Sequence, residues 1–172
     1  MVMFTRFRRI SNAQAAMIQN YLVSGRPVVG LRTSTHAFKF ADDSPYLFWN
    51  EGFGFNLFGT PWRYHYGHES ETDAKVLPEK ADHPILEGVP DTFHLRSWLY
   101  DVIPLPDRCV PLMQGTSVGQ SYTENRRVNP IAWTNKYRNS NVFFTTMGHP
   151  DDFKVDGFRK VLLNGIRWAL EQ

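Results

Sequence analysis

The stretch "VFFTTMGHPDDF" runs from strand formers into a glycine, then offers an imidazole, a proline and two carboxylates. An ordinary strand end needs only a turn, so His149 is a candidate for acid-base work at neutral pH. His65 and His68 lie three apart in "RYHYGHESE", and His36 follows "GLRTST". Two imidazoles can share proton transfer or hold a divalent metal such as zinc, and His65 with His149 are the pair named for either role. Arg32 or His36 would orient a substrate or hold a developing anion. Asp151 and Asp152 would fix one tautomer of His149, or simply favour the start of the helix that follows. Trp62 and Tyr66 supply flat faces suited to a sugar ring, and Tyr100 and Asp152 complete the candidate substrate-binding set.

Other chemistries lack their residues. Neither G-x-G-x-x-G nor the P-loop pattern occurs, so nucleotide binding is not expected. Arg32 occupies the place, two residues after Gly30, where a strand-to-helix elbow would carry a Ser or Cys nucleophile. An arginine cannot attack a carbonyl, so ester or amide hydrolysis by an elbow nucleophile is disfavoured. Ser34 reads as an ordinary capping hydroxyl. Cys109, the one cysteine, sits in the apolar run "CVPLM" and reads as a buried thiol, which leaves no disulfide framework and no multi-cysteine metal site.

Elements that would position these residues can be read from pattern. "MVMF" suggests a short strand. "SNAQAAMIQNYLVSG" has a capping box at Ser11 and Gln14, with apolar residues at Met17, Ile18, Tyr21 and Leu22, and ends at Gly25. "PVVGL" follows as a second strand, giving a βαβ unit. Arg32 to Lys80 has no clean period. Its "EGFGFNLFGTPW" suggests an ordered, aromatic active-site loop with short helical pieces. "DTFHLRSWLY" and "CVPLMQGTSV" suggest strands, and "NPIAWTNKYRNSNVFFTTMG" suggests an antiparallel pair turning at 138–141. From an Asp156 cap, Phe158, Val161, Leu162, Gly165, Ile166, Ala169 and Leu170 mark the buried face of a final helix. The expected fold is α/β: an open, mostly parallel, doubly wound sheet flanked by helices, with an antiparallel pair near the C-terminus. Ligands of such sheets bind beyond the carboxyl ends of the strands, which is where His149 falls.

Bulk composition narrows the partners. A chain of 172 residues is one domain by length, and 42% hydrophobic with 21% charged residues is ordinary for a globular protein. The net charge of +2 is small, and the short cluster "RFRR" reads as a solvated edge, so neither nucleic acid nor a membrane is expected as a partner. No stretch approaches a membrane span, and the start lacks the apolar core of a signal peptide, so the cytoplasm is the expected compartment.

The order of "PVVGLRTSTHAF", "HYGHES", "DHPILEGVP", "SWLYDVIPL", "NPIAWTNKYRNSNVFFTTMGHPDDF" and "FRKVLLNGIRWAL" resembles that of ThuA-like (trehalose-utilisation) proteins over nearly the whole chain. The resemblance implies a class I glutamine amidotransferase-like, flavodoxin-like fold, and work on trehalose or related disaccharides, through 3-keto sugars. Two departures matter. Many members carry "GLH" where this chain has "GLR", so Arg32 replaces a histidine, and many carry "DELY" where this chain has "SWLY", so Ser97 replaces an acid. ThuA-like domains also tend to begin with βα units ahead of "MVMF", so the single domain over 1–172 is expected to be N-terminally truncated. The leading expectation is a carbohydrate enzyme with a small-molecule partner and self-association left open. A non-catalytic sugar-binding module and an interaction scaffold are the alternatives.

Overall fold

The capping box at Ser11 opens the first helix. In the computed structural model, which describes residues 1–119 and 127–171, the Gln14 amide donates to the Ser11 hydroxyl at 3.2 Å. The Ser11 amide in turn donates to the Gln14 side chain at 2.9 Å. Helix α1 covers Asn12–Val23 and lies between strands β1 (Val2–Met3) and β2 (Val28–Leu31), which pair in parallel as the βαβ reading requires. Leu22 is buried, and Ile18 and Tyr21 pack on the core, but Met17 is 72% exposed.

Beyond β2 come a 3-10 turn (Arg32–His36), α2 (Trp49–Phe58), β3 (Glu71–Val76), β4 (Thr92–Leu95), β5 (Val110–Val118), β6 (Val128–Tyr137), β7 (Ser140–Thr145) and α3 (Asp156–Leu170). A 3-10 turn over Pro150–Lys154 joins β7 to α3. The strands form one seven-stranded sheet in the order β1-β2-β7-β6-β5-β3-β4.

The α/β class is as expected, but the sheet is mixed rather than mostly parallel. Only β1-β2 and β2-β7 are parallel; β7-β6, β6-β5, β5-β3 and β3-β4 are antiparallel. Connection length accounts for the β7-β6 pair. Parallel neighbours need a crossover of a dozen or more residues, which the chain supplies through α1 but not between β6 and β7. There Tyr137 already pairs with Ser140 across a tight turn.

Helices cover both faces. Along β7, Val142 and Phe144 join the cluster containing α1 and α2, while Phe143 joins the one containing α3. This alternation follows from the two-residue period of a strand. Phe143, Phe144, Phe158 and Trp133 are fully buried, each stabilising the fold by about 1.5–3 kcal/mol before the loss of conformational freedom is counted. A Cβ on Gly165 would stand 2.3 Å from Phe143 of β7, and one on Gly157 would stand 2.6 Å from Phe93 of β4. Helix α3 therefore touches both a central and an edge strand, and the sheet curls around it. Asp156 is the first residue of α3 rather than its cap; Val155 precedes it without a capping side chain.

Helix α2 was hidden within the glycine-aromatic stretch. Interior glycines each weaken a helix by about 1 kcal/mol against alanine, so local preference argues against it. Packing decides instead. Trp49, Phe53, Leu57 and Phe58 are buried, and a Cβ on Gly54 would stand 2.2 Å from the Thr35 carbonyl oxygen. The absence of that Cβ lets α2 lie directly against the turn that follows β2. Among the described residues, no helix is long and apolar enough to cross a membrane.

Candidate functional site

Three chain segments converge at the carboxyl ends of the parallel strands. The first is the turn after β7. Gly148 has φ +129°, a conformation open to glycine and strained for any other residue. The chain is held there by Asp152, which is fully buried. Its Oδ2 accepts from the amides of Gly148 at 2.9 Å and His149 at 3.0 Å, and its Oδ1 from those of Arg96 at 2.9 Å and Ser97 at 3.2 Å. The Ser97 hydroxyl also donates to Asp152, while accepting from the Gly148 and His149 amides at 3.1 and 3.0 Å. Ser97 thus helps fasten the segment after β4 to the turn after β7. The His149 backbone lies within this fastening, and its ring faces the cleft that the three segments enclose. Its Nδ1 accepts from the Asp151 amide at 3.2 Å, so a neutral ring carries its proton on Nε2, the nitrogen left for a ligand.

The second segment is the 3-10 turn after β2. Arg32 adopts φ +44°, a left-handed conformation that costs a non-glycine residue about 1 kcal/mol. Ser34 is buried and donates to the Met3 carbonyl at 2.9 Å, tying this turn to β1. His36 is only 5% exposed. Its ring sits 4.9 Å from Phe7 and 4.5 Å from Trp62, centroid to centroid, with Nδ1 3.0 Å from the Thr35 hydroxyl. Burial, reinforced by the positive charge of Arg6, lowers its pKa to about 4, so the ring is neutral at physiological pH.

The third segment joins α2 to β3 and is stitched to the chain after β4. His65 bridges Tyr100 in antiparallel fashion, and the Tyr66 and Asp101 amides donate to Leu99 and Tyr64 carbonyls at 2.9 and 3.0 Å. The His65 ring lies 4.5 Å from Trp98 and 4.6 Å from His68. Burial lowers its pKa, with further depression from His68, Arg32 and Arg6. The Arg32 guanidinium lies 5.2 Å over the Trp98 ring. It also faces Tyr100, whose phenol is shifted upward by burial against the opposing effect of Arg32. Arg32 Nε, His65 Nδ1 and Trp98 Nε1 are all buried without a hydrogen-bond partner.

Together these segments enclose a cleft of about 360 Å³. His149, His65, His36, Arg32, Trp62 and Tyr100, all singled out by sequence, line it. Tyr66 and Asp152 do not. The Tyr66 hydroxyl donates to Asp101 at 2.9 Å and accepts from Asn129 at 3.4 Å, and burial first of all pushes its pKa up to about 12. Arg6, Phe7, Thr33, His68, Trp98 and Pro150 complete the wall. Arg6 had been read as part of a solvated edge; its place just beyond β1 was the signal, by the same strand-end rule that marks His149. Among the described residues no carboxylate lines the cleft. His65 and His149 are joined by no third ligand: among the described residues no group of three or more His, Cys, Asp or Glu side chains is placed to hold a metal ion. A larger recess of about 570 Å³, between residues 9–12 and 39–44, contains no imidazole.

Comparison with solved structures matches this architecture. A ThuA-like protein from Bacteroides uniformis superposes with a TM-score of 0.67 at 18% identity, over 99% of this chain and 69% of its own. A ThuA-like protein from Parabacteroides merdae gives the same values. A cytoplasmic protein from Salmonella typhimurium follows with a TM-score of 0.56 at 10% identity, over 95% of this chain and 63% of its own. At these identities the likeness is one of fold. No curated protein matches the chain. The model of the ThuA family, described as trehalose utilisation, matches residues 1–169, and on that match the chain belongs to the ThuA family.

Proposed function

We propose that this chain is a carbohydrate-utilisation enzyme acting on a glycoside or keto-sugar at the histidine-lined cleft. The observation that carries the proposal is the gathering of His65, His149 and Arg32 between the aromatic faces of Trp62, Trp98 and Tyr100. Flat apolar faces with a few convergent polar groups suit a sugar ring. Glycoside hydrolysis in its usual form uses a pair of carboxylates about 5–10 Å apart, and among the described residues no carboxylate lines this cleft. Proton abstraction beside a ketone suits the residues better. His65, kept neutral by burial and neighbouring positive charge, is the proposed base. Arg32 orients the sugar, and the Nε2–H of His149 donates to the developing enolate oxygen. A small-molecule sugar is the proposed partner and the cytoplasm the proposed compartment.

The direct test follows a 3-keto disaccharide, such as 3-keto-trehalose, in the presence of the purified chain by chromatography or NMR. His149→Ala and His65→Ala should each lower turnover at least a hundredfold, with circular dichroism and melting temperature close to those of the parent. Normal turnover in His149→Ala would end this reading.

A second reading, a sugar-binding module without turnover, is favoured by one feature: an arginine occupies the elbow position where related architectures carry a nucleophile. It predicts saturable binding weakened by Trp62→Ala, with the sugar unchanged after hours of incubation.

A further inference from the structure

Only Arg32 and Arg96 are half-buried among the described arginines. Arg96 pairs with Glu71 at 3.5 Å and donates to the Ser70 carbonyl at 3.1 Å. Arg32 has an aromatic face and a phenol for company, and among the described residues no carboxylate lies within ion-pair distance of it. Charges withdrawn from water are normally paired, because desolvation is otherwise uncompensated. Arg6, at the rim of the same cleft, also lacks a carboxylate among the described residues. Asp151, behind His149, is 2.7 Å from Lys154 and is not part of the wall.

The surrounding hydrogen-bonding groups have the same character. Arg32 Nε and Trp98 Nε1 can only donate, and both are buried without an acceptor. His149 Nδ1 is occupied by a backbone amide, which leaves Nε2 to donate. The backbone of Arg32 is strained, with a φ of +44°. Strained residues of this kind gather at ligand sites.

Resting on the sugar-cleft reading above, we infer that the ligand of this cleft is an anionic sugar, in which one oxyanion group, a carboxylate or a phosphate, is held by the Arg32 guanidinium with Arg6 at the rim. A guanidinium presents a planar fork of donors matched to such a group. The cleft volume of about 360 Å³ is enough for a monosaccharide-sized ligand of this kind and sits at the small end of ligand pockets. A neutral sugar would leave the charge of Arg32 without a partner after the cleft fills and water leaves.

The test is equilibrium binding to the full chain at low ionic strength, by calorimetry or by the fluorescence of Trp62 and Trp98, with glucuronate, glucose 6-phosphate, glucose, acetate and inorganic phosphate as probes. Glucuronate or glucose 6-phosphate should bind at least tenfold more tightly than glucose, and whichever is tighter identifies the oxyanion. Arg32→Gln should remove most of that advantage and Arg32→Lys should keep part of it. Should Arg32→Gln fail to fold, Arg6→Gln, at an exposed position, should still weaken the charged sugars several-fold more than it weakens glucose. Glucose binding as tightly as both charged sugars would overturn the inference and leave the sugar cleft standing. Acetate or phosphate alone matching the charged sugars would keep the anion site and remove the sugar reading. Failure of every probe to bind would overturn both.

Discussion

The turn after β7 and the turn after β2 both end parallel strands and both present a charged group to the same part of the molecule, yet they are built in opposite ways. Asp152 is buried and saturated: the amides of Gly148, His149, Arg96 and Ser97 and the Ser97 hydroxyl all donate to it. Arg32 is strained and under-satisfied, with a positive φ and an Nε that meets no acceptor. A carboxylate in the first situation is scaffold. It fixes where His149 stands and joins the two halves of the sheet at the cleft. An arginine in the second situation is held in readiness for something from outside the chain. Proximity to a site is therefore a weaker guide to role than whether a polar group's partners are already inside the fold.

The largest effect should come from the scaffold turn. Asp152→Ala leaves four amides and a hydroxyl without their acceptor, and breaking a buried charged network of this kind costs about 3–5 kcal/mol. Urea denaturation should show that loss, and Asp152→Asn should recover only part of it. A loss below about 1 kcal/mol would mean the turn holds its shape without the carboxylate.

The β2 turn should respond to acid. His36 has a folded pKa of about 4 against about 6.5 for a histidine in water, so between those values the unfolded chain binds more protons than the folded one. Stability contributed by the neutral ring is present above pH 6.5 and is lost as pH falls towards 4. Its full size is on the order of 3 kcal/mol. Denaturation of the parent and His36→Gln across pH 4–7 should show a steeper decline in the parent. Parallel curves would place the acid sensitivity elsewhere.

A smaller effect should follow from the packing beneath the β2 turn. Gly54→Ala places a methyl against the Thr35 carbonyl. Alanine favours the helix by about 1 kcal/mol, but overpacking against backbone costs about 1–3 kcal/mol, so a net destabilisation is expected. Displacement of the turn should also shift the histidine resonances of His36. A net gain in stability would show that α2 can move away without disturbing the turn.

How much of this was legible in the sequence depended on whether a local pattern carried the information. The Ser11 capping box, the βαβ start, the buried face of α3 and the strand ending at His149 each follow from local periodicity or chemistry, and each is found. The mixed sheet was not read, because β3 was submerged in the stretch judged irregular; β4 was expected as a strand within "DTFHLRSWLY", but its antiparallel partner was not. In β3 the alternation of buried Thr72, Ala74 and Val76 with outward residues was available as a two-residue period. Short helical pieces were expected in this stretch, but a ten-residue α2 was not: its glycines argue against a helix, and the reason for one of them is a backbone contact with Thr35, distant in sequence. The site divides similarly. Strand-end position found Arg32, His36 and His149, and the aromatic cluster found Trp62 and His65. Trp98 reaches the cleft only through the segment tied down by Asp152, a link between residues more than fifty positions apart.

The contrast between the two turns is tested most directly by Arg32→Gly, with stability and binding of glucuronate and glucose 6-phosphate measured on the same preparation. Glycine relieves the positive φ, at the expense of a more flexible unfolded chain and the contact with Trp98. These effects should leave unfolding stability within about 1 kcal/mol of the parent. Binding of the charged sugars should fall at least tenfold. Intact binding, or a loss of stability above about 2 kcal/mol, would contradict the account and make Arg32 a structural residue like Asp152.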